Sequence, residues 1–238
     1  MLLFTGVLLL LSLSIFNLED NSSKGLLSLL NIVLIVVPMV SMLFSSIYLY
    51  NSSEFIELLV SQPLQRKTIW LSLFSGLSLS FVACLLLALG LPILLYEATI
   101  VGFMLLLSAI VLSVIFVALS SLIVVKIRDK AKGIGMAIVM WLYFALIFDG
   151  LVLFILFQFA DYPLEKTMIM LSILNPIDLS RIMMLLQMDV SALMGYTGAV
   201  FKEFYGTTVG MSVTAATMLL WIVFPYLISR YWFNRKDL

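Results

Sequence analysis

Long apolar runs alternate with short polar connections along almost the whole chain. A helix that crosses a bilayer needs about 20 mostly apolar residues. Charged residues make up only 11% of the sequence, against roughly 25% in a soluble domain. The sequence therefore predicts an all-α membrane protein with one transmembrane domain, residues 1–238. The six predicted transmembrane helices cover residues 1–16, 26–50, 69–96, 100–125, 133–159 and 206–232.

Lys and Arg are unevenly divided between the two sets of alternate connections, nine in one set and four in the other. Basic residues near membrane spans favour the cytosolic side. We therefore expect a multi-pass inner-membrane protein with both termini in the cytosol. The segment 51–68 is then cytosolic, and the long segment 160–205 is an extracytoplasmic helical segment between the last two spans. The nine residues are Arg66, Lys67, Lys126, Arg128, Lys130, Lys132, Arg230, Arg235 and Lys236.

Several functional classes find no support in the composition. The sequence has no histidine, and its single cysteine, Cys84, lies within an apolar run. Histidine is the usual activating base of hydrolases and a common zinc ligand. The formal net charge is zero, which indicates no nucleic-acid partner, and no phosphate loop of the GxxxxGK[ST] form occurs. We therefore expect a non-catalytic membrane subunit without a cofactor, so that any ATP hydrolysis belongs to another chain.

The fourteen methionines raise the question of copper, because thioethers suit Cu(I). Met183, Met184 and Met188 lie close together in the sequence. Methionine also fills apolar helices readily. The same stretch begins with Asn175 as a helix cap and Pro176 in the first turn, which is typical of an ordinary amphipathic helix. Packing is the favoured interpretation, and we assign no metal site.

Asp149 is the exceptional polar residue within the predicted spans. It lies roughly 25 Å along the fifth span at 1.5 Å per residue, and an unpaired acid near the bilayer centre costs about 2.5–3.5 kcal/mol. We therefore expect it to face the helix bundle or a dimer axis. One interpretation is a substrate or conformational contact, and the other is a hydrogen bond to a neighbouring helix, for example with Tyr143 or a serine.

The segment 51–68 is predicted to form a short helix with a defined end. Asn51 and Glu54 have the spacing of a capping box, and Pro63 disfavours helix at the residue before it. Phe55, Leu58 and Leu59 lie on one face of this helix. This apolar face either packs against the cytosolic ends of the spans or enters a groove of a partner protein.

The pattern Glu-x-x-Glu-Leu-Leu-x-x-Gln-Pro-x-x-Arg in this segment resembles the coupling helix of type-2 ABC-transporter permeases. In that family, six-span subunits pair as homodimers above two ATPase subunits, and the coupling helix lies in a cleft of the ATPase. The resemblance therefore implies a second copy of the chain and an ABC ATPase as partners. The residues that it assigns to ATPase coupling are Glu54, Phe55, Glu57, Leu58, Leu59, Gln62, Pro63 and Arg66.

Three further stretches resemble the NosY-like permeases, which serve the maturation of copper-containing nitrous oxide reductase. These stretches are Leu89–Pro92, Tyr143–Asp149 and Asn175–Arg181, the last continuing through Phe201. The resemblance covers nearly the whole chain and implies a periplasmic β-helical partner above the membrane. The residues expected to dock this extracytoplasmic partner are Asp178, Arg181, Met184, Phe201 and Phe204.

One departure from the NosY-like pattern lies at the N-terminus. These permeases usually begin with an amphipathic cytosolic helix, whereas this sequence begins directly with an apolar run. Either the sequence is truncated or its start codon is placed too far downstream. The resemblance therefore implies nothing about contacts between an N-terminal helix and the ATPase.

Two other functions remain as alternatives. A type-2 ABC exporter of lipid, peptide or drug would keep the fold and the ATPase partner, but would not be expected to preserve the stretch 175–201. A stand-alone membrane channel or intramembrane enzyme would need no ATPase partner. The absence of histidine and the sparse charge within the spans are arguments against the enzyme.

Overall fold

The computed structural model describes residues 1–19, 22–159, 165–188 and 207–235. Within these ranges the chain is helical and contains no strand, as the sequence predicts. Two five-residue π-helical segments, Leu86–Gly90 and Tyr143–Ile147, interrupt otherwise continuous helices. The α-helices are α1 (Leu2–Leu18), α2 (Ser22–Asn51), α3 (Ser53–Ser61), α4 (Arg66–Leu85), α5 (Leu91–Tyr96), α6 (Ile100–Lys126), α7 (Lys130–Leu142), α8 (Phe148–Gln158), α9 (Glu165–Ile173), α10 (Pro176–Gln187) and α11 (Thr208–Arg235).

Among the described residues, five continuous helical stretches are long and apolar enough to cross a membrane: α2, α4–α5, α6, α7–α8 and α11. The first predicted span forms α1, which is apolar but shorter, at 17 residues. The bent pair α9–α10 would count as one more span by length and composition alone. The predicted six-helix membrane fold therefore agrees with the structure, and the long segment between the last two spans contains a bent helical pair.

The central helix of the bundle is α6, which packs against α2, α4 and α11. Its side chains at Leu112 and Phe116 are fully buried. Small residues let neighbouring membrane helices approach closely. Ser120 of α6 lies against Ser46 of α2, with 3.0 Å between the two hydroxyl oxygens.

The outer surface of the bundle carries large apolar side chains, including Leu79, Leu95, Phe154 and Phe157, all strongly exposed. A soluble monomer rarely exposes apolar surface on this scale. A bilayer covers such a surface with lipid, and the chain is therefore a multi-pass membrane protein.

The ends of α6 and α11 place residues 159 and 207 on the same side of the membrane. Lys126, at the end of α6, lies 5.7 Å from the ring of Trp232, near the end of α11. These two helices therefore finish on the same side. Because α7–α8 crosses between them, the chain from residue 159 to residue 207 must start and finish on the opposite side. By length and composition, the bent pair between these residues is either a broken span or a re-entrant loop.

Both π-helical segments expose a backbone carbonyl to another helix. Pro92 follows the first segment and has no N–H, so it cannot donate to the Ala88 carbonyl as residue 92 of an unbroken α-helix would. The Ser12 hydroxyl of α1 donates to that oxygen instead, at 2.9 Å. In the second segment the Phe144 carbonyl accepts from the Asn175 side chain, also at 2.9 Å. Each interruption thus becomes an attachment point for a distant part of the chain.

Candidate functional site

The short helix α3 begins differently from the sequence-based prediction. Asn51 is the last residue of α2, and Ser52 is the N-cap of α3 without a side-chain capping bond. The Asn51 side-chain oxygen accepts from Lys130 Nζ at 2.6 Å. The predicted capping box between Asn51 and Glu54 is therefore wrong, because α2 continues through Asn51 and its side chain is bonded to Lys130.

The end of α3 follows the prediction. The helix ends at Ser61, and Gln62 is extended with φ −81° and ψ 161°, as expected for a residue before proline. Pro63 lies in the exposed turn, and α4 begins at Arg66. The predicted coupling residues therefore span the whole of α3, the turn after it and the first residue of α4.

The two sides of α3 have different roles. Ile56 is 6% exposed and packs into a cluster at the ends of the spans, with Val60 beside it. Phe55 and Leu58 are 58% and 65% exposed, next to the exposed side chains of Glu54 and Glu57. Only Leu59 of the predicted apolar face is partly covered. The residues that face the bundle, Ile56 and Val60, are not among the predicted ones. Their spacing of four residues places them on one face of the helix and could have identified them.

A cavity of about 300 Å³ lies between α3 and the bundle. A helix next to a void has lost contact partners on that side. Ile56 and Val60 therefore attach α3 over a small area, and a displacement of α3 breaks few contacts. The residues that line the cavity are Leu49, Tyr50, Ser53, Ile56, Glu57, Trp70, Val124, Val125, Ile127, Arg128 and Phe233.

The helix ends behind this cavity are joined by specific bonds. The Tyr50 hydroxyl donates to the Ile127 carbonyl at 2.9 Å and connects the end of α2 to the end of α6. A Cβ at Gly133 would overlap the Tyr50 hydroxyl oxygen, so only glycine fits there without displacing Tyr50. The Trp70 indole donates to the Ser229 hydroxyl at 3.0 Å and connects α4 to α11. α3 thus packs against helix ends that are joined to one another by hydrogen bonds.

About halfway along the bundle, α9 and α10 meet at a bend of 116°. Asn175 is fully buried at this bend and is the N-cap of α10, as predicted. Its side-chain oxygen accepts from the Ile177 N–H at 3.0 Å, and its Nδ2 donates to the Phe144 carbonyl at 2.9 Å. The Trp221 indole donates to the Ile173 carbonyl at 3.1 Å. Two other helical stretches therefore hold the bend in place.

An ion cluster lies beside this bend. Arg181 Nη1 is 2.9 Å from Asp149 Oδ2 and 3.1 Å from Asp178 Oδ1. The side chains of Asp149 and Arg181 are each 32% exposed. As predicted, Asp149 faces a neighbouring helix, but its predicted partners were wrong: the side chain pairs with Arg181, not with Tyr143 or a serine. Pairing reduces the cost of placing an acid at membrane depth.

The predicted docking residues fall into three groups. Asp178 and Arg181 belong to the ion cluster and are partly accessible. Met184 is 1% exposed and packs in the core, so in this structure its side chain offers no surface to a partner. Met168 is buried in the same core, in keeping with a packing role for the methionines. Phe201 and Phe204 lie outside the described residues.

Two of the three stretches that carry the NosY-like resemblance meet in space. Tyr143–Asp149 contacts Asn175–Arg181 through the bond from Asn175 to the Phe144 carbonyl and through the pair between Asp149 and Arg181. The stretch Leu89–Pro92 overlaps the other helix interruption, Leu86–Gly90, whose Ala88 carbonyl accepts from Ser12 of α1. Sequence spacing alone could not show these contacts, because the bonded residues are 31 and 32 positions apart.

The comparison with known protein families agrees with this architecture. The family model described as "ABC-2 family transporter protein" matches residues 3–238. No curated protein sequence matches the chain. With a membrane bundle, a short helix at the ends of its spans and a match over nearly its whole length, the chain belongs to the ABC-2 transporter family as a membrane permease.

Proposed function

We propose that this chain is the transmembrane subunit of an ABC complex and that α3 couples it to a separate ATPase subunit. The observation that supports this most directly is the exposed face of α3, where Phe55 and Leu58 lie beside Glu54 and Glu57. An amphipathic helix is stabilised when its apolar side chains enter a partner groove. Family membership supplies the class of partner, since ABC permeases work with ATPase subunits.

The coupling would be mechanical. Only Ser52 separates α3 from α2, and a short turn separates it from α4. A push on α3 by a closing pair of ATPase subunits would therefore tilt α2 and α4. Because Tyr50 ties the end of α2 to α6, the tilt is passed into the bundle and changes its opposite face. In this proposal the chain acts as a homodimer, both of its termini are cytosolic, and the chain itself catalyses no reaction.

The coupling proposal is tested by replacing Glu57 with Gln and Leu58 with Ala together. Burying a leucine side chain contributes about 1.5–3 kcal/mol, so the affinity for the ATPase should fall roughly tenfold or more. A matched control, Glu97→Gln with Leu95→Ala, makes the same chemical change at the other end of α4–α5. Unchanged affinity and unchanged ATP turnover in the first variant would show that α3 is not the coupling helix.

The orientation is tested by cysteine labelling from either side of the membrane. Gln65 and Ala98 lie at opposite ends of the stretch α4–α5, which crosses the bilayer. A cysteine at position 65 should react only with reagent on the cytosolic side, and a cysteine at position 98 only from the other side. The reverse pattern would contradict cytosolic termini.

We further infer that the complex serves the maturation of the copper sites of nitrous oxide reductase, as NosY-like permeases do. Support comes from the two stretches of that resemblance, because Asn175 and Arg181 join the bent pair α9–α10 to the span α7–α8. The outward segment 160–205 would carry the docking surface for a periplasmic β-helical partner. The partly accessible Asp178 and Arg181 would lie at its edge.

This finer assignment needs a test that is separate from ATPase coupling. Cells in which Phe201 and Phe204 are both changed to Glu should lose the periplasmic partner from the complex while keeping the ATPase. Their nitrous oxide reductase should lack its full copper–sulfur centre, as measured by copper content and absorption spectrum. A fully loaded reductase in cells that lack the whole chain would exclude the maturation role and leave the exporter alternative.

A further inference from the structure

The ends of α6 and α11 form a groove that the coupling proposal does not use. Its volume is about 490 Å³, and it opens on the same side of the membrane as α3. Among the described residues, no acidic side chain lines it. The lining residues are Val125, Lys126, Arg128, Trp232 and Arg235.

Two cations of this groove rest on aromatic rings. Lys126 Nζ lies 5.7 Å from the centre of the Trp232 ring, and Arg235 Cζ lies 4.3 Å from that of Tyr231. Both charged side chains are exposed, and neither forms a salt bridge with a carboxylate in the part of the chain that the structure describes. A cation held over a ring keeps its N–H donors for another acceptor. These two side chains therefore present positioned positive charge to the groove.

The positive charge favours an anionic ligand, and the position of the groove indicates which kind of anion it binds. Trp and Tyr at the ends of membrane helices lie at the level of lipid headgroups, and Tyr231 and Trp232 occupy such a position near the end of α11. Phe224, Leu227 and Tyr231, spaced by three and four residues, form an exposed apolar strip that leads from the groove along α11. A ligand that fits both features has a phosphate at the headgroup level and hydrocarbon chains below it.

We propose that this groove binds the phosphate of an anionic phospholipid, with the acyl chains lying along the exposed strip of α11. Lysine and arginine bind phosphate oxygens through charge-assisted hydrogen bonds. Basic pockets between membrane helices are known to take anionic headgroups. A free phosphate shares the headgroup chemistry but makes no use of the apolar strip, so the bilayer lipid is the assigned source.

The test measures lipid binding by the purified full-length chain. Native mass spectrometry in detergent counts the bound phosphatidylglycerol and phosphatidylcholine at increasing lipid concentration. We expect selective retention of phosphatidylglycerol by the unaltered chain. The variant Lys126→Gln with Arg235→Gln should bind it roughly 25-fold more weakly, since each basic residue near an anionic surface contributes a factor of about five.

A matched control removes two other exposed cations, Lys67→Gln with Lys132→Gln, and should retain the affinity. The exchange Lys126→Arg with Arg235→Lys keeps the charge and should also retain it. If the double glutamine variant fails to fold, Lys126→Gln alone should show roughly a fivefold loss.

Three outcomes would overturn the proposal. The first is equal loss in the groove variant and in the matched control, which would indicate only a general charge effect. The second is full displacement of the lipid by inorganic phosphate, which would indicate a soluble-anion site. The third is unchanged lipid binding with loss of ATPase affinity in the groove variant, which would assign the groove to the protein partner. Because lipid binding is measured on the chain alone, its result is independent of ATPase coupling.

Discussion

The bend at Asn175 lies about halfway along the bundle, whereas the short helix α3 lies at one end, and the two regions are held in opposite ways. The bend is attached by two side-chain hydrogen bonds from separate helical stretches and by the Arg181 ion cluster. α3 is attached through Ile56 and Val60 beside a cavity. The first region is fixed by directional contacts to several helices, and the second rests on a small apolar contact.

The difference indicates where this molecule can move. Directional bonds to buried partners are costly to break, because the groups left behind lose their hydrogen bonds. A small apolar contact next to a void costs much less to displace. We therefore expect motion that begins at α3 to shift the bundle, while the bend at Asn175 keeps its geometry.

The largest effect is expected at the bend. Replacing Asn175 with Leu removes the N-cap and leaves the Phe144 carbonyl without its side-chain donor. Loss of a cap costs about 1 kcal/mol and an unsatisfied buried group about 1–3 kcal/mol. The free energy of unfolding in detergent or bicelles should fall by about 2–4 kcal/mol. The exposed Asn17, changed to Leu, is the control. An equally small loss of unfolding free energy in both variants would contradict the claim that the bend is attached more firmly than α3.

The next effect concerns the ion cluster. Changing Arg181 to Met leaves Asp149 and Asp178 without their shared cation, and the partial exposure of the cluster limits the cost to about 1–3 kcal/mol. The additional change Asp149→Asn should restore part of that loss. A double-mutant cycle on unfolding free energies measures the coupling between the two residues. A coupling of zero would show that the pair does not stabilise the bend.

A smaller and more local effect is expected from Ile56→Ala. Truncation of a buried isoleucine costs about 2 kcal/mol or more in a core, but here the loss should appear only as faster amide exchange across α3. Unfolding of the whole bundle should be unchanged, since α3 is a peripheral element. Leu58→Ala, at an exposed position of the same helix, is the control. A fall in global stability equal to the local one would show that α3 is an integral part of the bundle.

The smallest effect on stability is expected for Glu54→Gln with Glu57→Gln. Both side chains are exposed, and surface substitutions usually change stability by less than about 0.5 kcal/mol. Association with the ATPase should nevertheless become slower and less sensitive to salt, because exposed charges steer encounter. Association rates at low and high ionic strength provide the measurement. If the unaltered chain and the variant show the same salt dependence, the two carboxylates are not part of the surface that docks the ATPase.

Features fixed by neighbouring residues were predictable from the sequence. The apolar runs gave the helices, Pro63 gave the end of α3, and Asn175 with Pro176 gave the start of α10. In each case the cause lies within a few positions of the effect. The sequence therefore predicts the number and type of most elements, as well as their approximate limits.

Features that depend on distant partners were not predictable in the same way. Asn51 bonds to Lys130 across 79 positions, and Asp149 pairs with Arg181 across 32. The face that α3 turns inward depends on where the ends of α4 and α11 lie, and periodicity alone does not contain that information. The sequence thus identified α3 as the candidate site but did not identify Ile56 and Val60 as the residues that contact the bundle.

The contacts between α4 and α11 beneath α3 also have a consequence for biosynthesis. Trp70 bonds to Ser229, which follows it by 159 positions, and stacks on Phe233. At roughly 5–20 residues per second, the ribosome needs about 8–30 s to make the intervening chain. Ile56 rests on this same cluster, so α3 reaches its final position only after the last transmembrane helix has been inserted. If α3 couples the chain to an ATPase, as proposed, we expect the ATPase to bind completed chains and not nascent ones.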